Sequence, residues 1–354
     1  IIVLDKTDFL NSFETFKPED NIISFYVEDR HLDPKTNKKS LFQKNYIITQ
    51  ISEIKDDESN NKGHQIKMID SVSYLLKNTF FSKGYIATTF SNVVEDIFEI
   101  FKIKDMLPKT AEIIINKTKE TKTNFVIPGN MNLYDFLMYQ CNQEGCILYQ
   151  DKSGIYMKNI DDLFVKNLNK IEVTKTFKQD DPDPAYQFKI NDLTSEFNSC
   201  FENLHYPKTI TYVYDPKNKK ILPKQQNFNE IYENINFTKS SEKYIQNTSG
   251  IYYDVGEVNL SDNSLKKKTY LNYLKNNTLD MILAGSISGN ILLELRDVNI
   301  LGSTKTNDGY TKGNETLNGS YLVLSISDKI INNKYIQNII LGRVNNTDKI
   351  KIKG

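Results

Sequence analysis

The alternation of apolar and polar positions is clearest near the end of the chain, over residues 320–328, which read SYLVLSISD. A period of two is typical of a β-strand with one buried face. The Asn-rich turn at 332–334 and a second apolar run at 335–343 complete the pattern of a β-hairpin. Runs at 281–285 and 291–295 predict further strands of the same small barrel. The apolar residues expected on one face of the hairpin are Leu322, Leu324 and Ile326.

The first part of the chain has the same period of two. Polar loops rich in Asp, Asn and Lys separate its apolar segments at 33–37 and 56–63. Short strands joined by exposed loops favour a small antiparallel barrel, which we assign to residues 1–83. The strands of this barrel are predicted at 22–27, 46–54 and 64–72.

Near residue 88 the period changes to that of an α-helix. Asn92, followed three residues later by Glu95, is typical of a helix N-cap, because both side chains can bond free backbone N–H groups there. Val93, Ile97 and Phe101 then fall on one helical face. These residues predict a helix that begins at Asn92 and buries its apolar side.

A second helix is predicted to begin near Asn132 and to end at Gly145, a residue type common in the left-handed position after a helix. A hairpin follows, with strands at 146–150 and 155–158. Together these elements define an α+β module over residues 84–168. The residues of the second helix that are expected to point inward are Leu133, Phe136, Leu137 and Cys141.

The remainder of the chain returns to β character. An alternating strand is predicted at 206–214, whereas residues 216–278 lose their periodicity and are rich in Asn, Lys, Ser and Tyr. We interpret 216–278 as an insertion into a second, discontinuous barrel made of 169–215 and 279–354. The predicted fold class is therefore α+β and mainly β, with two similar small antiparallel β-barrels, an α+β module and an irregular insertion.

The charge balance excludes a strong electrostatic preference of the whole chain. The 354 residues include 45 basic and 45 acidic side chains, and the formal net charge is zero. A general attraction to nucleic acid or to an anionic membrane is therefore absent. No stretch approaches the roughly 20 apolar residues that a membrane span requires. The three cysteines are too few for a disulfide framework and favour folding in a reducing compartment.

Residue types that serve catalysis or bind metals occur without the spacing that such sites need. His31, His64 and His205 are not surrounded by the pattern of a serine hydrolase. Cys141 and Cys146 lack the repeated, closely spaced cysteine pairs of a zinc ribbon, so we expect them to be buried thiols. No catalytic, cofactor-binding or metal-binding residue is predicted.

Clusters of charge also have simple structural explanations. Glu95 and Glu99 lie one helical turn apart and are expected on a solvated face. The acidic run at 180–183 lacks the central Gly and distal Glu of a calcium loop, and its prolines favour a rigid linker. The lysines at 266–268, with tyrosines close by, are expected to form a solvated or subunit-facing patch more than a nucleic-acid site.

Two stretches of the chain, 86–158 and 279–343, have a specific order of elements. In the first, a short helix follows a barrel, a second helix ends in a Glu-Gly pair, and a hairpin carries Tyr149 and Tyr156. In the second, short strands joined by turns lead to a terminal strand that runs from a Tyr to an Arg. This order resembles that of the central hub proteins of phage-tail baseplates and of the related hub domains of secretion-system spikes.

The resemblance implies a structural, non-enzymatic role without cofactors. Hub proteins of this family form homotrimers in which two similar barrels per chain build a pseudo-sixfold ring around a channel. The ring would join the hexameric tail tube to the threefold central spike, contact other baseplate proteins, and let DNA pass without specific binding during ejection. The implied location is the virion tail, after assembly in the host cytoplasm. The expected interface elements are edge strands near 46–54 and 206–214 and the terminal hairpin.

Two other classes of function stay open from the sequence. A tail-associated cell-wall hydrolase would need a carboxylate or triad constellation, and no segment offers one. A carbohydrate-binding or receptor-binding module would need an exposed aromatic platform. The absence of Trp disfavours that module, whereas the 21 Tyr residues keep it open.

Overall fold

Strands dominate the computed structural model, which has nineteen strands and three α-helices among the residues that it describes. The chain divides into two compact units, which are considered separately. One unit comprises Ile1–Glu28, Leu41–Gln140 and Leu148–Met157, and the other comprises Asp29–Ser40, Cys141–Ile147 and Lys158–Gly354. The described residues are 2–4, 22–32, 39–55, 62–116, 122–151, 154–164, 169–174, 187–197, 208–215, 218–227, 251–255, 263–264, 266–267, 270–271, 274–275, 277–284, 292–306, 309–312, 318–331 and 334–344.

Nine of the strands precede residue 160. They are β1 (Ile2–Leu4), β2 (Ile22–Leu32), β3 (Lys39–Lys55), β4 (Lys62–Asp70), β5 (Lys83–Thr88), β6 (Glu112–Ile115), β7 (Thr123–Ile127), β8 (Cys146–Gln150) and β9 (Gly154–Asn159). The helices of this part are α1 (Ser71–Asn78), α2 (Phe90–Ile100) and α3 (Leu133–Gln143), with short 3₁₀-helices at Ile103–Met106 and Ile160–Phe164.

Ten strands follow in the remainder of the chain. They are β10 (Asn169–Thr174), β11 (Gln187–Phe197), β12 (Lys208–Asp215), β13 (Lys220–Asn227), β14 (Ile251–Val255), β15 (Asn277–Ala284), β16 (Leu295–Thr306), β17 (Gly309–Lys312), β18 (Gly319–Ile331) and β19 (Lys334–Arg343). The described residues between 263 and 275 are helical, and we call them the helical segment. Nowhere in the described part is a helix both long and apolar enough for a bilayer crossing.

Five sheets contain these strands. Their orders are β1-β4-β3-β2, β5-β7, β6-β9-β8, β13-β12-β14 and β10-β11-β15-β19-β18-β16-β17, and β10 also pairs with β16. The mainly β, α+β class is therefore confirmed, and the two barrels stay a prediction.

Helix α1 was not predicted, and it shortens the strand expected at 64–72. The Asp70 side chain caps the helix, because its Oδ1 accepts a hydrogen bond from Ser73 N at 3.0 Å. Strand β4 ends at that cap, and Val72 is a buried helical residue. An Asp directly before an apolar helical run is an N-cap signal that the alternating pattern of the strand obscured.

Helix α2 begins earlier than its predicted cap. Thr89 is the N-cap, and its Oγ1 accepts a hydrogen bond from Asn92 N at 3.4 Å. The prediction of Asn92 as the cap was therefore wrong by one turn. The predicted apolar face is confirmed for Val93 and Ile97, which have no exposed surface, whereas Phe101 is the C-cap residue and is only partly buried.

Helix α3 agrees with the sequence-based expectation. Asn132 Oδ1 accepts from Asp135 N at 2.8 Å, and Asn132 Nδ2 donates to Asp135 Oδ2 at 2.9 Å. Gly145 lies just beyond the helix with a φ of +67°, in the left-handed region that favours glycine. The inward residues named above, Leu133, Phe136, Leu137 and Cys141, are all at most 1% exposed.

Two strands predicted in the second half differ from those observed. The run at 291–295 contains a turn in which Leu293 has a φ of +56°, so β16 begins only at Leu295. The predicted strand at 206–214 corresponds to β12, but β12 pairs with β13 and β14 and lies outside the seven-stranded sheet. Strands β13 and β14 lie within 216–278, where the sequence showed no clear period.

The terminal hairpin is confirmed, but its inner face is not the predicted one. The register of β18 against β19 shifts between Val323 and Ser325, which leaves Leu324 as the extra residue of a β-bulge. Such an insertion exchanges the faces of all later residues. Tyr321 and Val323 therefore lie in the core before the bulge, and Ile326 packs against that core after it. The fully buried cluster consists of Leu279, Met281, Val298, Tyr321, Val323, Ile339 and Leu341.

The opposite face of the hairpin is covered as well. Leu322 is fully buried and is the register partner of Gly342. A Cβ atom at Gly342 would lie 2.8 Å from Leu324 Cδ1 and 2.9 Å from Leu274 Cβ. The helical segment, to which Leu274 belongs, can therefore approach this face only because residue 342 has no side chain.

We predict that Gly342→Ala destabilises the protein. The added methyl group would overlap Leu274 and Leu324, and overpacking of this kind costs about 1–3 kcal/mol. The matched control is Gly84→Ala in β5, where a Cβ atom would meet nothing within 4 Å. We expect this control to stay within about 0.5 kcal/mol of the wild type. Urea unfolding followed by circular dichroism measures both, and equal stabilities would contradict the packing described here.

Candidate functional site

The two strands predicted as interface edges, and the terminal hairpin predicted as an interface element, all lie in the interior of their sheets. β3, which contains residues 46–54, lies between β4 and β2. β12 lies between β13 and β14, and the β18–β19 hairpin lies between β15 and β16. The expectation that the strands near 46–54 and 206–214 are edge elements was therefore wrong. The alternation of apolar and polar residues predicts that a strand exists. The position of that strand within its sheet depends on pairing with distant segments of the chain.

The outermost strands of the described sheets include β2 and β13. On β2, Ile23 is 37% exposed, and on β13 Ile221 is 64% and Leu222 49% exposed. Exposed apolar residues on an outer strand offer both backbone groups and side chains to another chain. These two strands are thus better candidates for assembly contacts than the strands that the sequence favoured.

A cleft of about 220 Å³ lies within the unit that contains α1. Helix α1 supplies Val72, Ser73 and Leu76 to its wall. The other lining residues come from β3, β4, α2, α3, β8 and β9, and are Lys44, Asp70, Phe98, Tyr134, Leu137, Met138, Leu148, Tyr149, Gln150 and Ile155. Because these segments are far apart in the sequence, no local pattern indicated the cleft.

Charged and aromatic groups stand along the cleft. Lys44 Nζ lies 3.4 Å from Asp70 Oδ2, and both side chains are largely buried. The ring of Tyr149 stacks on Tyr156 with centroids 5.4 Å apart, so its orientation is restricted. Lys77 Nζ lies 4.8 Å from the centroid of the Tyr134 ring. The cleft therefore combines an apolar floor with one ion pair and two oriented rings.

Lys267, expected in a solvated or subunit-facing patch, is a buried residue. It is 8% exposed, and its Nζ donates to Asn142 Oδ1 at 2.7 Å and to the backbone O of Cys141 at 3.2 Å. These acceptors belong to the last turn of α3, where carbonyl groups lack helical partners and attract cations. The lysine thus attaches the helical segment to the end of α3. Its neighbour Lys266 lies 6.0 Å from the Tyr270 ring centroid.

The thiols of Cys141 and Cys146 are free and buried, as expected. Their mutual hydrogen bond and then burial raise the pKa of Cys146 well above its ordinary value, so this thiol stays protonated. Burial lowers the pKa of Lys267, and the nearby thiols act in the opposite direction. A buried thiol that stays protonated is a poor nucleophile, so Cys146 has a structural role.

The other chemistry-bearing residues named from the sequence are dispersed. His31 lies in strand β2, and His64 lies in β4. Glu95 and Glu99 are exposed on α2, as predicted. The acidic run at 180–183, together with Cys200 and His205, lies outside the described residues. Across the described part, no three His, Cys, Asp or Glu side chains converge on a possible metal position.

A small titratable cluster joins β5 to α2. Asp96 Oδ2 accepts hydrogen bonds from Lys83 Nζ and from the Tyr85 hydroxyl, each at 2.6 Å. The bond from Lys83, followed by that from Tyr85, lowers the pKa of Asp96 below its ordinary value. Burial and then the bond to Asp96 raise the pKa of Tyr85. The cluster holds the strand against the helix, and its three residues do not line the cleft described above.

Comparison with known proteins gives a likeness in structure only. No protein-family description and no curated protein sequence matches the chain. The 43 kDa tail protein of prophage MuSo2 from Shewanella oneidensis aligns with 91% of this chain and 88% of its own, with a TM-score of 0.53 and 10% identity. The tail protein from Neisseria meningitidis MC58 aligns with 90% and 87%, with a TM-score of 0.54 and 9% identity.

At these identities the likeness concerns the fold. The chain has the fold of these tail proteins across about nine-tenths of its length. The likeness to tail proteins, first indicated by the order of elements, is confirmed for the fold.

We predict that Lys267→Met weakens the protein although it keeps most of the buried stem. The change removes the donor to Cys141 and Asn142, and a buried acceptor left without its donor costs about 1–3 kcal/mol. Lys275→Met, at an exposed position of the same segment, is the matched control. We expect the control to change the free energy of unfolding by less than about 0.5 kcal/mol. A solvated role for Lys267 would make the two variants equally stable.

We predict a pH-dependent effect of Asp96→Asn. The lowered pKa of Asp96 means that its ionised form stabilises the folded state above the unfolded pKa, and that this contribution is lost as the pH falls through the folded pKa. The Lys83 and Asp96 side chains are each more than one-third exposed, so Asp96→Asn should lower the free energy of unfolding at neutral pH by only about 0.5 kcal/mol. The difference in this free energy between wild type and variant should shrink below about pH 4. Asp105→Asn, an exposed change in the same unit, is the control variant.

Proposed function

We propose that the chain is the structural hub of a phage-tail baseplate. Three chains form a ring that joins the hexameric tail tube to the threefold central spike and contacts other baseplate proteins. DNA passes through the ring during ejection without specific binding. The observation that carries the proposal is the fold shared with two phage tail proteins over 90% or more of this chain.

The proposed domain organisation follows the sequence-based boundaries. Residues 1–83 form the first barrel domain, 84–168 the α+β module, and 169–215 with 279–354 the second barrel domain, interrupted by 216–278. In this organisation β12 belongs with the inserted sheet and not with the barrel wall, because its partners are β13 and β14.

Strand pairing supports closure of the second barrel. Strand β10 pairs in parallel with β11 on one edge and with β16 on the other. The remaining pairings run from β11 through β15, β19 and β18 to β16, so the six strands form a cycle. A cycle of pairings is the arrangement that a closed barrel requires. The first barrel has no comparable support, since β1-β4-β3-β2 is an open order.

A passive role towards DNA fits the charge of the chain. A conduit that neutralised several phosphates would hold DNA tightly. With 45 basic and 45 acidic residues, the chain offers no excess of positive charge for such binding. We infer that the channel wall is neutral or acidic, and that the hub acts without enzymatic activity within the virion.

We predict that the purified chain assembles into trimers. Light scattering on the eluted peak should give about three times the chain mass of 41.0 kDa. Ile221→Asp on the outer strand β13 should lower the trimer fraction if this strand lies in the interface, since a buried unpaired charge is costly. Asn218→Asp, at an exposed position beside the same strand, is the control. A monomer both alone and with the spike protein would contradict the proposal.

A further inference from the structure

The cleft beside α1 contains a buried acceptor whose bonding capacity is incompletely used. Asp70 Oδ1 accepts the capping bond from Ser73 N. Asp70 Oδ2 is buried and accepts no hydrogen bond from any described residue. Lys44 Nζ at 3.4 Å makes an ion pair with it but not a hydrogen bond. Because this buried oxygen lacks a hydrogen bond, a donor that enters the cleft would supply one and stabilise the complex.

The charge at this end of the cleft gives an ion little advantage over a neutral group. Lys44 and Asp70 neutralise one another, so an entering ion would be attracted by one of them and repelled by the other. A neutral group that carries a hydrogen-bond donor next to an acceptor can bond both side chains, the donor with Asp70 and the acceptor with Lys44. The N–H and C=O of one residue in an extended chain point to the same side, as they do in a β-ladder.

The floor of the cleft selects for an apolar group. Val72, Leu76, Leu137, Leu148 and Ile155 line it and offer no polar side-chain atom. Sugar hydroxyls placed there would lose their bonds to water without replacement, which is unfavourable. The volume of about 220 Å³ is below the ~300–1,000 Å³ typical of pockets for larger ligands. One side chain of moderate size therefore fits better than a whole cofactor.

We propose that this cleft is a docking site for an extended peptide segment of another protein. An apolar side chain of the size of Leu occupies the floor. The backbone N–H of the same residue donates to Asp70 Oδ2, and its C=O accepts from Lys44 Nζ. The stacked Tyr149 ring forms one side of the site.

The test is a titration of the full chain with N-acetyl-leucine-N-methylamide, a neutral probe with one side chain and two amides. Methyl-labelled protein reports binding through the NMR signals of Leu76, Leu137 and Leu148. A probe of this size is expected to bind with a Kd on the order of 1 mM. The signal of Leu341, which lies in the other unit, serves as the internal control.

Two related probes test whether the cleft prefers an apolar peptide, an acidic peptide or a glycan. N-acetyl-aspartate-N-methylamide keeps the amides but adds a negative charge, and N-acetylglucosamine keeps an acetamido group without the apolar side chain. We expect each to bind at least about tenfold more weakly than the leucine probe. Tighter binding of N-acetylglucosamine would overturn the proposal in favour of a glycan site.

Protein variants test the assigned contacts. Asp70→Asn keeps a capping oxygen but removes the free carboxylate oxygen, and Ser73→Leu fills the cleft. Each should raise the Kd of the leucine probe at least about tenfold. Asn78→Leu, an exposed change on the same helix that does not line the cleft, should leave the Kd unchanged.

Absence of methyl shifts at about 10 mM probe, or equal binding by all variants, would overturn the proposal. The chemical shifts of the free variants show whether each remains folded. The titration detects binding at the cleft whether the chain is a monomer or a trimer, so its outcome is independent of the proposed ring.

Discussion

The close approach of the helical segment to two glycines is the constraint on which the second unit depends. Leu274 lies against Gly342 of β19, where a Cβ atom would meet Leu274 Cβ at 2.9 Å. At the other end, a Cβ atom at Gly145 would lie 2.8 Å from Asn263 Cβ. Lys267 joins the same segment to the last turn of α3. Backbone packs against side chain at both glycines, so side chains of any size are excluded there.

This packing gives the terminal hairpin a core on each face. The buried cluster around Met281 and Leu341 lies on one side, and Leu322 is buried on the other. A hairpin held on both faces is suited to the proposed hub, because a ring that joins tube and spike needs rigid walls. The exposed apolar residues of the described part include Ile221 and Leu222 on the outer strand β13, which are thus available for contacts between chains.

The sequence predicts features whose causes are local and misses those that depend on distant partners. Helix α3 follows from Asn132 and Gly145, which are adjacent to the helix that they bound. The inner face of β18 could not be predicted, because the bulge at Leu324 arises from pairing with β19. The burial of Lys267 depends on contact with α3, more than 100 residues earlier. The cleft at Asp70 likewise combines segments that are separate in the sequence.

The most direct test of the hub proposal is cryo-electron microscopy of the assembled chain, viewed along its symmetry axis. The account predicts a threefold ring in which six similar barrel densities surround a central opening. The two barrels of each chain would alternate around that ring, which gives its pseudo-sixfold appearance. A threefold particle without an opening, or a ring with only three barrel densities, would contradict the central claim.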